Sequence, residues 1–220
     1  MINHRRNIKN SLFLISGILI SALAVSIYVA SNFGVSTVSS IPLILSAIVP
    51  SFSLGFATIL FQIVLILILC YLYKFQLKYL ASLFLGIFFG VIVDLCNQLW
   101  TFIPIYDLPN VVIFLIALFL LPFGISLTVR SNLTALPFDL IISDLALYSK
   151  QSVANIKLWF DIICVIITLV LSYAFFKTII GIGLGTILSM LVNGKLLQFY
   201  LKMIPATDKI ENELVDELIE

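Results

Sequence analysis

Apolar runs recur along this chain at 11–31, 55–73, 79–99, 110–129, 156–175 and 178–201, each closed by a short polar stretch. A helix needs about 20 apolar residues to cross about 30 Å of hydrocarbon, so the pattern predicts six spanning helices. Two shorter apolar pieces, 37–50 and 135–149, stand between them. Each would make a helix of roughly 21 Å, too short for a comfortable crossing and suited to a re-entrant half-helix. The order is therefore span, short helix, span, span, read twice.

Residue matches support the twofold reading. Val129, Ser131 and Asn132 stand 100 residues after Val29, Ser31 and Asn32. At an offset of 99, Ser53, Phe61, Lys78, Leu85 and Gly86 meet Ser152, Phe160, Lys177, Leu184 and Gly185. Three crossings per copy is an odd number, which makes the second copy inverted in the membrane. The expected fold is an all-α polytopic membrane protein built of two tandem, inverted repeats of about 100 residues. Its divisions are a basic N-terminus (1–10), one repeat (11–104), a second (105–204) and an acidic tail (205–220).

Composition strengthens the membrane assignment. The 220 residues are 62% hydrophobic and 10% charged, with a mean hydropathy of +1.21. So much apolar side chain exceeds what one soluble core can bury, and lipid is the remaining solvent. A net charge of +1 gives no nucleic-acid footprint. Cys70, Cys96 and Cys164 sit singly in apolar runs and the one histidine is His4, so neither a metal site nor a disulfide framework is expected. No cofactor and no enzymatic activity are expected either. The first apolar run follows a basic start and reads as an uncleaved helix, being too long for a signal's apolar region.

Charge placement fixes an orientation. With six spans and the N-terminus inside, Arg5, Arg6, Lys9, Lys74, Lys78, Arg130, Lys150, Lys202 and Lys209 fall inside, with Lys157 at an inner helix end. Asp107 and Lys177 fall outside. Counting the short pieces as crossings gives eight spans and moves Lys74 and Lys78 outside, so the positive-inside bias favours six.

Ionisable residues inside a membrane are rare and point to function. Asp161 lies about 9 Å into its span, with Gln62 at the equivalent position of the first half. Asp94 is matched by Asn193. Interhelical hydrogen bonding is the plain structural role for all four. Lys195 is placed to reach Asp161 from the inner side, or to snorkel. Asp139 and Asp144 are five apart, about 140° around a helix, and do not share a face. Asp139 follows Pro137 and suits a helix cap or an ion pair with Arg130. Asp144 is expected to face water. Gly86 and Gly90 form a small-xxx-small packing face, and Gly181 and Gly185 of GIGLGT are read as helix contacts within an apolar helix.

Several stretches resemble a bacterial membrane family. "NFGVSTVSSIPLILSAIVP" is similar to the "GLGTSPISSIPYVLS" signature of the YczE/YyaS/YitT-like proteins, with Thr37 where proline is usual. "LFLGIFFGVIVDLCNQL" resembles that family's G-x-x-x-G-x-x-x-D helix, and "GIGLGTILSMLVNGKLLQFY" its late glycine helix. "VRSNLTALPFDLI" resembles its Arg…Pro–aromatic–Asp segment, with Leu133-Thr134 in place of Leu-Gly. The resemblance covers most of residues 15–200. It implies a multi-pass protein of a bacterial cytoplasmic membrane, permease-like in appearance, and supplies no substrate.

The functional expectation is a small-molecule permease whose polar path uses Arg130, Asp139, Asp144 and Asp161 near the repeat interface. Gln62, Asp94 and Asn193 complete the candidate set. The partners expected are the bilayer, a small solute, and a second copy or another membrane protein, with no nucleic acid. Two other readings stand beside it: a non-transporting accessory or regulatory subunit, and the substrate-capture subunit of an ATP-driven transporter. No Walker motif is present, so any ATP hydrolysis belongs to another chain.

Overall fold

A computed structural model describes the backbone of residues 2–204 and the side chains of 8–204. The side chains of residues 1–7 and the whole acidic tail fall outside the described residues.

Each apolar run becomes a helix. In chain order these are α1 (Ile2–Ala30), α2 (Thr37–Ile48), α3 (Leu54–Tyr73), α4 (Leu77–Leu99), α5 (Asn110–Arg130), α6 (Pro137–Ser149), α7 (Val153–Phe176) and α8 (Leu184–Met203), with a 3-10 turn at Ile105–Asp107. Six of them are long and apolar enough to cross a membrane. The short pair, α2 and α6, fall where the pattern places them. Polar residues set the ends. Ser36, Ser53 and Ser152 each precede a helix and accept from the N–H three residues on, which satisfies a donor the helix cannot. After α1 and α5 the chain turns through Asn32 and Asn132, both at φ +49°. There Ser31 and Ser131 donate to the carbonyls of Tyr28 and Thr128, each at 2.6 Å.

Two apolar clusters hold the bundle. Tyr28, Phe89 and Phe114 centre one among α1, α4 and α5. Phe61, Leu69 and Ile141 centre the other among α2, α3 and α6. Glycine contacts show the helix directions. A Cβ on Gly17 would stand 2.7 Å from the Thr128 nitrogen, and one on Gly124 2.7 Å from the Ser21 nitrogen, while Tyr28 meets Phe114 at 5.5 Å. Later residues of α1 thus meet earlier residues of α5, and the two run antiparallel. Ser26 near the end of α1 bonds Asn97 near the end of α4, so those two run in parallel. α8 runs with α5, because Gly185 meets Phe114 at their starts and Arg130 donates to the Leu201 carbonyl at their ends.

Two boundaries differ from the pattern, the first being α1, which begins at Ile2 rather than at 11. The last apolar run begins at 178, but α8 begins at Leu184. Gly181 and Gly183 therefore stand outside the helix, contrary to the expectation for GIGLGT. Gly181 holds φ +77°, a conformation in which glycine carries no steric penalty. The unwound segment folds back on α7, where Ser172 donates to the Thr178 carbonyl and accepts from the Ile180 N–H, both at 2.7 Å. It also joins the α1–α2 turn: Val35 N–H donates to the Gly181 carbonyl at 3.2 Å, and Gly185 N–H to the Phe33 carbonyl at 3.0 Å. Gly185 packs as expected, against Phe114.

Candidate functional site

The short helices bring their N-termini deep into the bundle. Pro137, the first residue of α6, arrives beside Gly86, nine residues and about 13 Å along α4. From there α6 runs back, until Tyr148 stacks on Tyr73 at 3.9 Å and accepts from Gln76 at 3.1 Å, beside the α3–α4 turn. α2 begins equally deep. Thr37 meets Asp161, eight residues and about 12 Å along α7, and Ser40 then meets Thr168. Helix N-termini carry partial positive charge, so two such ends make this depth favourable for anionic groups.

Asp161 is the centre of the polar cluster there. It is 5% exposed. Its Oδ1 accepts from the Thr37 hydroxyl at 2.7 Å and forms an ion pair with Lys157, one turn earlier on α7. Lys157, rather than Lys195, is the lysine paired with it. Lys157 also acts electrostatically on Asp139, in the first turn of α6. The ion pair itself is with Asp161; Asp139 lies within electrostatic range of the same ammonium. Hydroxyls extend the cluster. Ser40 and Thr168 share a hydrogen bond of 2.8 Å, Ser40 donates to the Thr37 carbonyl, and Thr168 donates to the Cys164 carbonyl. The Thr37 hydroxyl is what supplies the bond to Asp161, and a side chain without a donor could not make it.

The other candidates separate from this centre. Asp144 does not face water: it is 3% exposed, paired with Lys78 at 2.6 Å and accepting from Tyr79 at 2.9 Å. A carboxylate this deep persists because both partners reach it from α4. Asp139 makes no side-chain cap. Leu136 occupies that position, and Arg130 donates instead to Leu201. Asp94 has a structural role, accepting from the Ser53 hydroxyl at 2.5 Å and the Gly55 N–H at 2.7 Å. It thereby ties the end of α4 to the start of α3. Asn193 faces the Tyr28 hydroxyl across α1 and α8.

The Asn193 Oδ1 and the Tyr28 hydroxyl are themselves without hydrogen-bond partners, and Gln62 goes further. It is fully buried, and neither its Oε1 nor its Nε2 finds a hydrogen-bond partner. Its carboxamide ends at the Cα of Gly86, where the Pro137 ring also arrives. Leaving such a group unsatisfied costs about 1–3 kcal/mol, so packing alone gives no reason for a glutamine here.

Sequence reading missed Thr37, Lys157 and Thr168 as site members, and Lys78 and Tyr79 as partners. Lys157 stands one helical turn before Asp161, a spacing the sequence does show; the other pairs join residues 65 to 128 apart, which apolar periodicity cannot connect.

Taken together, the six long apolar helices among the described residues, with two short ones that begin among buried polar groups, define a multi-pass membrane protein. The chain belongs to the DUF6198 family, a family of unknown function, whose model it matches over residues 8–202. No curated protein and no solved structure matches it.

Proposed function

We propose that this protein is a small-molecule permease of a bacterial cytoplasmic membrane, close in kind to the YczE-like proteins it resembles. Its polar site is Asp161, Lys157, Thr37 and Asp139. The observation that carries the reading is the convergence of both short-helix N-termini on one depth of the bundle, where the buried Asp161 pairs with Lys157 and the half-buried Asp139 opens α6. Half-helix ends meeting ionisable groups inside a bundle suit the recognition of a polar solute.

Inverted repeats give this site its setting. The matching turns at Asn32 and Asn132, and the matching caps at Ser53 and Ser152, support residues 11–104 and 105–204 as two copies of one plan. Helix direction supports six crossings with α2 and α6 re-entrant. If α2 crossed, α1 and α5 would run the same way, and they run oppositely. If α6 crossed, α5 and α8 would run oppositely, and they run together. Both termini then lie on the cytoplasmic side, where the lysines collect.

The test is a metabolite screen for thermal stabilisation of the purified protein, repeated with Asp161→Asn. A stabilising solute should be found, and the variant should remain folded and lose the response. An Asp161→Asn protein that responds as the wild type does would remove Asp161 from the site. A second reading, the accessory subunit, draws on the outlying position of α7 and α8, whose apolar windows are 22% buried against 50% for α1 and α3. Co-purification with one specific membrane protein would favour it.

A further inference from the structure

The two halves differ at one seam. In the first half, α3 and α4 pack along glycines: Gly55 against Gly90, and Gly86 against Gln62. The bonds from Ser53 and Gly55 to Asp94 close the end of this seam. Ninety-nine residues on, the same positions hold Ser152, Ala154, Asp161, Gly185, Ser189 and Asn193. These are small or polar residues suited to a similar seam, yet α7 and α8 form no comparable contact. Asn193 turns to Tyr28, Gly185 packs on Phe114, and Gly194 faces open space. The unwound segment 177–183 replaces the helical turns that would carry α8 back along α7.

The equivalent polar positions are therefore in opposite conditions. Asp161 lies beside the parted pair and is engaged by Lys157 and Thr37. Gln62 lies inside the closed pair and is engaged by nothing. From this we infer that Gln62 lines the polar path in a second state, reached when α3 and α4 part and α7 and α8 close. The inference rests on the permease and repeat readings above, and adds a residue and a motion to them. In that state the carboxamide offers one donor group and one acceptor to water or solute. Gly86 and Pro137, which meet at its carboxamide, carry no charge, so this face takes an uncharged polar group. The Asp94 carboxylate is the latch of the present state, since its two bonds hold the seam shut. A minor state of this kind need be populated only at about 0.1–10% to serve a transport cycle.

Thiol labelling tests it without a known substrate. The three native cysteines are replaced by serine, and Gln62→Cys is treated in membrane vesicles with a small, water-soluble thiol reagent. The reference is Leu69→Cys, on the same helix and equally buried in the apolar cluster. Gln62→Cys should react at least about tenfold faster than the reference, in line with a minor open population, and faster again when Asp94→Ala removes the latch. Thr58→Cys, one turn away and 6% exposed, serves as a second reporter should Gln62→Cys fail to fold. A reporter as slow as Leu69→Cys, with and without the latch, overturns the inference. Because no solute is added, this outcome is separate from the Asp161→Asn test: seam and solute site fail independently.

Discussion

At the scale of single residues, the buried acids of this bundle each have named partners, within α7 for Asp161 and across helices for Asp144, and these partners set what substitutions do. Asp144 depends on Lys78 and Tyr79. Lys78→Met should lower stability by about 1–3 kcal/mol, moderated because Tyr79 still donates. Adding Asp144→Asn should return much of that loss, since no buried charge then remains. Thermal unfolding of both variants in detergent checks this, and a double variant no better than the single would contradict the pairing. The acids themselves were legible in the sequence; their partners were not. Asp144 reads as a surface residue when only its own helix is considered, because the lysine that neutralises it lies 66 positions earlier. Thr37 and Asp161 stand 124 apart, and nothing in local pattern joins them. Gln62, by contrast, is marked in the sequence by its place opposite Asp161 between the halves.

At the scale of elements, length and hydropathy were sufficient for the apolar extent of seven of the eight helices among the described residues. α2 and α6 stand out because their apolar stretch is short and each is preceded by a Ser-Asn turn. The start of α8 was hidden because Ile179, Ile180 and Ile182 keep the run apolar while the glycines between them unwind it. Apolarity reports the surrounding solvent, and backbone conformation there is set by the tertiary bonds of Val35 and Ser172. Gly181→Ala should therefore destabilise the protein by about 1–2 kcal/mol, from its positive φ alone. The nearness of Leu43 Cδ2, 2.7 Å from an added Cβ, increases that loss. Gly194→Ala, with nothing within 4 Å, should be neutral or slightly favourable in the same melting experiment.

At the scale of the whole molecule, the path of the chain through the bilayer is the property most open to direct test. With six crossings, a membrane-impermeant reagent should label a cysteine placed at Asp107 from outside the cell and leave one at Lys74 unlabelled until the membrane is opened. Labelling at Lys74 in intact cells would move the α3–α4 turn outside and require eight crossings. The break before α8 bears on this larger plan in another way. If the halves arose from one duplicated segment, that break is where they ceased to be interchangeable. A chain assembled from two copies of residues 11–104 would carry an unbroken helix and an aspartate clasp on both sides. It would be a sturdier protein with no parted side, fastened alike in both halves.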